Sequence, residues 1–187
     1  QYPPSVDEAS RELNLRDDQD TNNLFVVAAG NGNKPDVRDA PYYPAVLGGT
    51  AQSNVITVAA HRGDGTLASF SNRGKASVDL AAPGCRLPSW LDDTGNVVSV
   101  SGTSQAAAVV TFAAALLKSL GGLKPLHIKN RLMISGDILV PQPAGSDVQP
   151  DPNVTLPDPS EVLSRARLNI VRSLFLFDDY VKYRAAN

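Results

Sequence analysis

The sequence predicts an α/β fold built on a mainly parallel sheet flanked by helices. Three observations carry this reading. Two apolar runs, LFVVAA (24–29) and NVITVAA (54–60), are continuous rather than alternating, the mark of strands buried on both faces of a parallel sheet. The stretch from Thr103 to Ser119 is long, small-residue-rich and apolar, and reads as one helix. Strand and helix signals also alternate along the chain, the pattern of layered α/β structures. At 187 residues the chain suits one domain with a substantial core.

The elements follow in order. Residues 5–19 read as a helix, with Ser5 as N-cap, acids in the first turn, and Leu13 and Leu15 as apolar positions. LFVVAA is the first strand and stops at the turn GNGN. NVITVAA is the second; LASFS (67–71) and SVDLAA (77–82) are shorter candidates. LPSWL and NVVSVS flank Asp92-Asp93-Thr94-Gly95 and read as a hairpin. The helix from Thr103 ends at Gly121-Gly122, a C-cap signal. A second helix, Leu126 to Ile134, follows Pro125, and an interrupted third runs from Ser160 to Phe177. Residues 141–159 hold six prolines and read as an extended surface loop within the same domain. Asn153-Val154-Thr155 is a formal glycosylation triplet of a kind that arises often by chance.

Bulk properties narrow the function. Hydrophobic residues make up 42% and charged residues 19%, and the net charge is −2. The basic residues are scattered, so nothing favours nucleic acid or a membrane surface as partner. The longest apolar element, Ala106 to Leu117, is interrupted by Thr111 and is too short to span a bilayer. A single cysteine, Cys85, excludes an internal disulfide and a multi-cysteine metal site. The N-terminus, QYPPSVDEAS, has no initiator Met and no signal-peptide pattern, as if something preceded it.

Two motifs carry chemistry. Ser104 stands at the mouth of the long helix, in VSVSGTSQAAA. A serine there is commonly a cap; as a nucleophile it would sit beside the free N–H groups and dipole that stabilise an oxyanion. Gly102 would let a substrate backbone approach, and Ala106, Ala107 and Ala108 would let the helix sit deep in the fold. The second motif is Ala28-Ala29-Gly30-Asn31-Gly32-Asn33. It is either a plain Gly/Asn turn or an amide held at the C-terminal edge of a parallel sheet, where ligands gather.

A third group, Phe70-Ser71-Asn72-Arg73-Gly74 and Asp79-Leu80-Ala81-Ala82-Pro83-Gly84, lies between them. The order AAGN, VITVAA, FSNRG, DLAAPG, SGTS-helix resembles the subtilisin-like serine peptidases. The resemblance is strong over residues 24–120, weak through PLHIKNRLMISGD, and ends near RARLNIVRSL. It implies the subtilisin-like three-layer fold, represented by its C-terminal portion. It also implies peptide-bond hydrolysis through an acyl-enzyme on Ser104. The Asn31 amide and the Ser104 backbone N–H would form the oxyanion hole. Ala29, Gly30, Gly32, Ser101, Gly102 and Thr103 would border the substrate cleft. A polypeptide substrate and an extracytoplasmic location follow from the resemblance. Family members often hold calcium in loops, but Asp17-Asp18 and Asp92-Asp93 read as solvated turns rather than as a site.

The match is incomplete. In this family the catalytic Asp and His precede the oxyanion Asn, and no His occurs before Asn31 here. His61, in the polar turn HRGDG, reads as a solvated loop residue, and His127 as a surface or partly buried helix residue. Asp79 reads as a structural acceptor near a turn. The base and its orienting acid are therefore expected from a companion N-terminal segment, without which this chain would be inactive. LFVVAA would then have an unpaired edge, and the isolated chain should aggregate. The alternative is a non-catalytic fragment or pseudopeptidase that binds peptides. Gln105 and Val109 depart from the family pattern, and Phe112 stands where a glycine is common, so its ring should force repacking of a tight helix contact. Tyr42 is either a loop aromatic or the floor of a shortened pocket that prefers a small side chain.

Overall fold

The computed structural model describes residues 23–38, 43–49, 54–90, 94–139 and 162–176. Its elements are β1 (Phe25–Ala28), a 3₁₀ turn (Ala45–Leu47), β2 (Val55–His61), β3 (Leu80–Pro83), β4 (Leu87–Trp90), β5 (Val97–Val100), α1 (Thr103–Ser119), α2 (Pro125–Ile134), β6 (Asp137–Ile138), β7 (Ala166–Arg167) and α3 (Ile170–Phe175). The expected helix over 5–19, the Pro-rich stretch 141–159, Tyr42 and the two Asp-Asp pairs lie outside the described residues.

The main sheet has the order β1-β2-β3-β7-β6. β1, β2, β3 and β7 run parallel, and β6 joins antiparallel to β7. β2 is buried along its whole length, which is why its sequence shows no alternation. Its side chains still divide by face. Ile56, Val58 and Ala60 pack with Leu80, Ala82 and the inner face of α1. Ala59 and Ala81 pack on the opposite side with Ala29, Val37, Leu67, Val78, Leu139 and Val162. The 3₁₀ turn covers part of that second side through Val46 and Leu47, against Val55 and Phe25.

α1 buries Ala106, Ala107, Val110, Ala113, Ala114 and Leu117. That spacing is one helical stripe, and its small side chains let the helix axis approach the sheet closely. Lys118 supplies the favourable cation in the last turn. Gly121 and Gly122 then take φ of +80° and +73°, a conformation that halts the helix and costs glycine little. Pro125 opens α2 at its first turn, where its missing N–H is harmless.

A buried ion pair ties α2 to the sheet. Lys129 Nζ lies 3.0 Å from Asp79 Oδ1, with both side chains fully buried. Asp79 also accepts from the backbone N–H of Thr57 (2.8 Å) and Gly49 (3.1 Å). Lys129 donates to the Val55 carbonyl at 2.6 Å. Burial pushes the Asp79 carboxyl up and the Lys129 ammonium down, and each charge opposes its partner's shift. Asp79 is thus a structural acceptor, with a cationic partner from α2.

Three expectations need correction. LASFS does not form a strand: Leu67 makes an isolated bridge to His61, and Ser69-Phe70 turn. Its polar end is used instead for side-chain bonds to backbone, since Ser71 Oγ accepts from the Ala60 N–H at 3.0 Å. The third helix is short: Val162 bridges to Gly74, β7 intervenes, and α3 starts only at Ile170. His61 is not a solvated loop residue. It is the last residue of β2 and 6% exposed, and burial holds its pKa below the usual histidine range. His127 is half-buried in α2, as its sequence position implied.

Candidate active site

The loops after β1, β2 and β3 and the N-terminus of α1 meet at one edge of the sheet. Gly102 is the residue before α1 and has no side chain of its own to cap the helix. Ser104, the second helical residue, is exposed and is not a cap. Its backbone N–H is among the first four of the helix, which lack intrahelical acceptors. It therefore faces the solvent edge together with the positive end of the helix dipole.

Asn31 is held to this helix end by its oxygen. Oδ1 accepts from the Thr103 N–H and from Thr103 Oγ1, both at 2.9 Å. A backbone N–H can only donate, so the amide orientation is fixed: oxygen toward Thr103, nitrogen away from it. Nδ2 then lies beside Gly102, where an added Cβ would come within 3.3 Å of it. Asn31 and Ser104 are both exposed. The Asn31 amide nitrogen thus lies beside Gly102, two residues before Ser104.

The other cleft candidates divide into two groups. Ala29 and Thr103 are buried, at 0% and 1% exposure, and Gly102 is buried too. Ala29 donates to Val58 and accepts from Asn72, and Gly30 donates to Thr103 Oγ1 and accepts from the Asn72 N–H. These residues pack behind the Asn31 loop and the start of α1. Gly32 and Ser101 are exposed.

Asn72 has a role here that its sequence context did not suggest. It is 5% exposed, and its Oδ1 accepts from the N–H of Gly32 (3.0 Å) and Lys34 (2.9 Å). Its Nδ2 donates to the Ala29 carbonyl at 2.9 Å. Asn72 therefore clasps the loop that carries Asn31 from both sides. Arg73 Nη2 bonds the Asn33 side-chain oxygen. The available signal was the polar run Ser71-Asn72-Arg73 directly after the apolar LASF. Gly84 is needed for space: a Cβ there would stand 2.5 Å from Ala60 Cβ and 2.9 Å from the Gly102 carbonyl. The Gly102 N–H donates to the Gly84 carbonyl at 2.8 Å.

An open groove of about 450 Å³ adjoins Ser104, lined by Leu87, Pro88, Gln105, Val109 and Phe112 among others. Phe112 is 59% exposed, so the tight helix contact expected for its ring is not formed. No His, Asp or Glu of the described residues lines this groove. His61 Nδ1 is instead engaged with the Arg62 carbonyl at 2.7 Å. No group of three or more His, Cys, Asp or Glu among the described residues is arranged to hold a metal ion, and no described helix is long and apolar enough to cross a membrane.

The subtilase family model (peptidase S8) matches residues 1–148. The chain belongs to the subtilase family. It is 39% identical to halolysin of Haloferax mediterranei over 109 residues, which is 58% of this chain and 19% of that protein. It is 44% identical to the extracellular serine proteinase of a Thermus species over 93 residues, 49% of this chain and 20% of that one. Among solved structures, a cold-adapted subtilisin-like serine proteinase superposes with TM-score 0.52 at 34% identity, covering 62% of this chain and 39% of that chain. The subtilase cytotoxin SubAB assembly shares the fold, with TM-score 0.68 at 24% identity over 99% of this chain and 58% of that chain. The matched part of this subtilase thus amounts to about a fifth of the length of these curated relatives. Its mainly parallel sheet with flanking helices is the fold that the family resemblance implied.

Proposed function

We propose that Ser104 is the nucleophile of a serine endopeptidase, with Asn31 Nδ2 and the Ser104 N–H as its oxyanion hole. The observation that supports this reading is the fixing of Asn31 Oδ1 by two donors of Thr103, which leaves the amide nitrogen beside Gly102, two residues before Ser104. In this reading residues 1–187 are the C-terminal part of one catalytic domain. A companion N-terminal segment supplies the His base and its Asp. The groove beside Ser104 is the place where that His would enter, since it is open and lacks a titratable group of its own among the described residues.

The chemistry then runs in two halves. The base takes the Ser104 hydroxyl proton as Oγ attacks the peptide carbonyl carbon. The negative charge that develops on the carbonyl oxygen is met by the two N–H donors. Collapse breaks the C–N bond, the amine leaves with the proton from the base, and an acyl-Ser104 ester remains. Water, activated by the same base, releases the acid and restores Ser104. Gly32 and Ser101 border the bound polypeptide at the rim. As in the extracellular relative, an extracytoplasmic setting fits this activity.

Fluorophosphonate labelling of the intact native protein, with peptide mapping, tests the proposal. Modification at Ser104 is expected, because such probes require an activated serine. Absence of label, beside a control peptidase that labels, overturns it. The alternative, a peptide-binding fragment without catalysis, would then lead; the uncharged lining of the groove is the observation in its favour.

A further inference from the structure

We infer that the cavity beside Cys85 is a subsite for an acidic side chain of the polypeptide substrate, with Arg86 and Arg62 as the residues that select it. The inference deepens the proteolytic reading of Ser104 and rests on it. The cavity measures about 670 Å³, and its lining includes Arg62, Asp64, Phe70, Cys85 and Arg86. Arg62 directly follows β2, and Cys85-Arg86 lie in the connection from β3 to β4. The cavity therefore opens at the C-terminal ends of adjacent parallel strands, where ligands of such sheets gather.

Two hydrogen bonds join this cavity to the nucleophile. The Arg86 N–H donates to Ser101 Oγ at 2.9 Å, and the Gly102 N–H donates to the Gly84 carbonyl at 2.8 Å. Ser101 and Gly102 run straight into Thr103 and Ser104. A polypeptide extended across Ser104 reaches the cavity within a few residues, since each spans about 3.3–3.6 Å.

The charges are unequal. The lining has two guanidinium groups and one carboxylate. Asp64 is occupied by its own turn, accepting from the Thr66 N–H (2.9 Å) and Thr66 Oγ1 (2.6 Å). Its other oxygen stands 3.8 Å from Arg62 Nε. No carboxylate of the described residues pairs with Arg86. Arg86 also has φ of +52°, a left-handed conformation uncommon outside glycine, and its bond to Ser101 helps to hold it there. A concave site with excess positive charge focuses its field on an incoming anion. A guanidinium fork matches a carboxylate bidentately. Phe70 and Ala68, also in the lining, offer an apolar wall to the methylene stem of the acid.

Cys85 is the one cysteine of the sequence and is partly exposed in this cavity. It is therefore a built-in reporter. The experiment compares alkylation of Cys85 by iodoacetate and iodoacetamide on the intact native protein, read by peptide mapping. Both reagents attack through the same thiolate, so their rate ratio reports the field and not the thiol's ionisation. The iodoacetate-to-iodoacetamide ratio should exceed that of the unfolded protein by roughly tenfold. It should fall toward the unfolded value in Arg86→Gln and recover in Arg86→Lys. A blocked Ala-Glu-Ala peptide should protect Cys85 in the wild type, and its Gln counterpart should not. A ratio equal to that of the unfolded protein, or equal protection by both peptides, overturns the inference; the peptide arm needs no variant to fold. Protection by Glu alone with no fluorophosphonate label at Ser104 overturns the substrate role and the proteolytic reading while the carboxylate site remains.

Discussion

Two polar centres of this subtilase use their hydrogen-bonding groups in opposite ways. At the Asp79–Lys129 pair both charges are fully buried, and backbone groups of Thr57, Gly49 and Val55 complete the coordination. At the edge of the same sheet, Asn31 is exposed and gives its oxygen to Thr103, leaving the nitrogen turned outward. The first arrangement fixes α2 on the strands. The second leaves a donor beside Gly102, the donor proposed above for the oxyanion hole. Folding accounts for a polar group whose bonds all close inward; a group held firmly by one atom and open at the other keeps a donor free for solvent or, in the proposed function, for substrate.

The largest effect should come from breaking the closed centre. Lys129→Met leaves Asp79 buried without its cation, and we expect a loss of about 3–5 kcal/mol, read by chemical denaturation. The loss should shrink in acid. Burial already raises the Asp79 pKa, and removing Lys129 raises it further. A carboxyl with a raised folded pKa adds stability below its unfolded pKa that is lost as pH rises through the folded value. The variant should therefore be more stable at pH 5 than at pH 8. Equal stability at both would show that Asp79 is not the group left unpaired.

Opening the other centre should change activity and not stability. Asn31→Asp keeps the oxygen that accepts from Thr103 and replaces only the outward N–H. In the intact protein kcat should drop by at least roughly 10²–10³, the size known for one such donor in subtilisin and not deduced from this chain. The melting temperature should move little. A large fall in melting temperature would show that Nδ2 has a folding role and would erase the contrast between the centres.

Asn72 stands between the two. It is buried, yet it clasps the loop bearing Asn31 at Gly32, Lys34 and Ala29. Asn72→Ala should cost about 1–3 kcal/mol and also slow labelling of Ser104. Loss of stability with unchanged labelling would detach Asn72 from the site.

The sequence told these residues apart only in part. Ser104 and Asn31 are singled out in the sequence because five short motifs stand in one order. The buried strands were legible because a short, continuous apolar run bounded by turn residues suits a strand covered on both faces. The Asp79–Lys129 pair was not legible as a pair: its partners are 50 positions apart in sequence, and a lysine in PLHIKN reads as a solvated face. His61 misled for a related reason. HRGDG has turn chemistry, but parallel pairing of His61 with Pro83 extends the strand one residue into it and buries the ring. LASFS has the composition of a strand, but Ser71 and Asn72 bond backbone groups with their side chains, which competes with a strand ladder.

The smallest expected effect lies at Asp36, five residues beyond Asn31. Its Oδ1 accepts from the Arg38 N–H at 2.9 Å and from Nε at 3.0 Å, and Oδ2 accepts from Nη2 at 2.6 Å. The Arg38 guanidinium holds its carboxyl below the usual aspartate range. The neighbouring Val37 is fully buried and donates its N–H to the Arg73 carbonyl at 2.8 Å, so this turn continues the clasp that starts at Asn72. Arg38 is more than half exposed at its side chain, and solvent screens the pair. Asp36→Asn should therefore cost only about 0.3–1 kcal/mol at pH 7. The sign in acid follows from the depressed pKa: the contribution is present above the unfolded value near 3.8 and lost as pH falls through the lower folded value. Wild type and variant should differ at pH 7 and converge near pH 2. A difference that persists in acid would assign the role of Asp36 to shape, and would move this turn to the side of the closed centre, where geometry rather than charge does the holding.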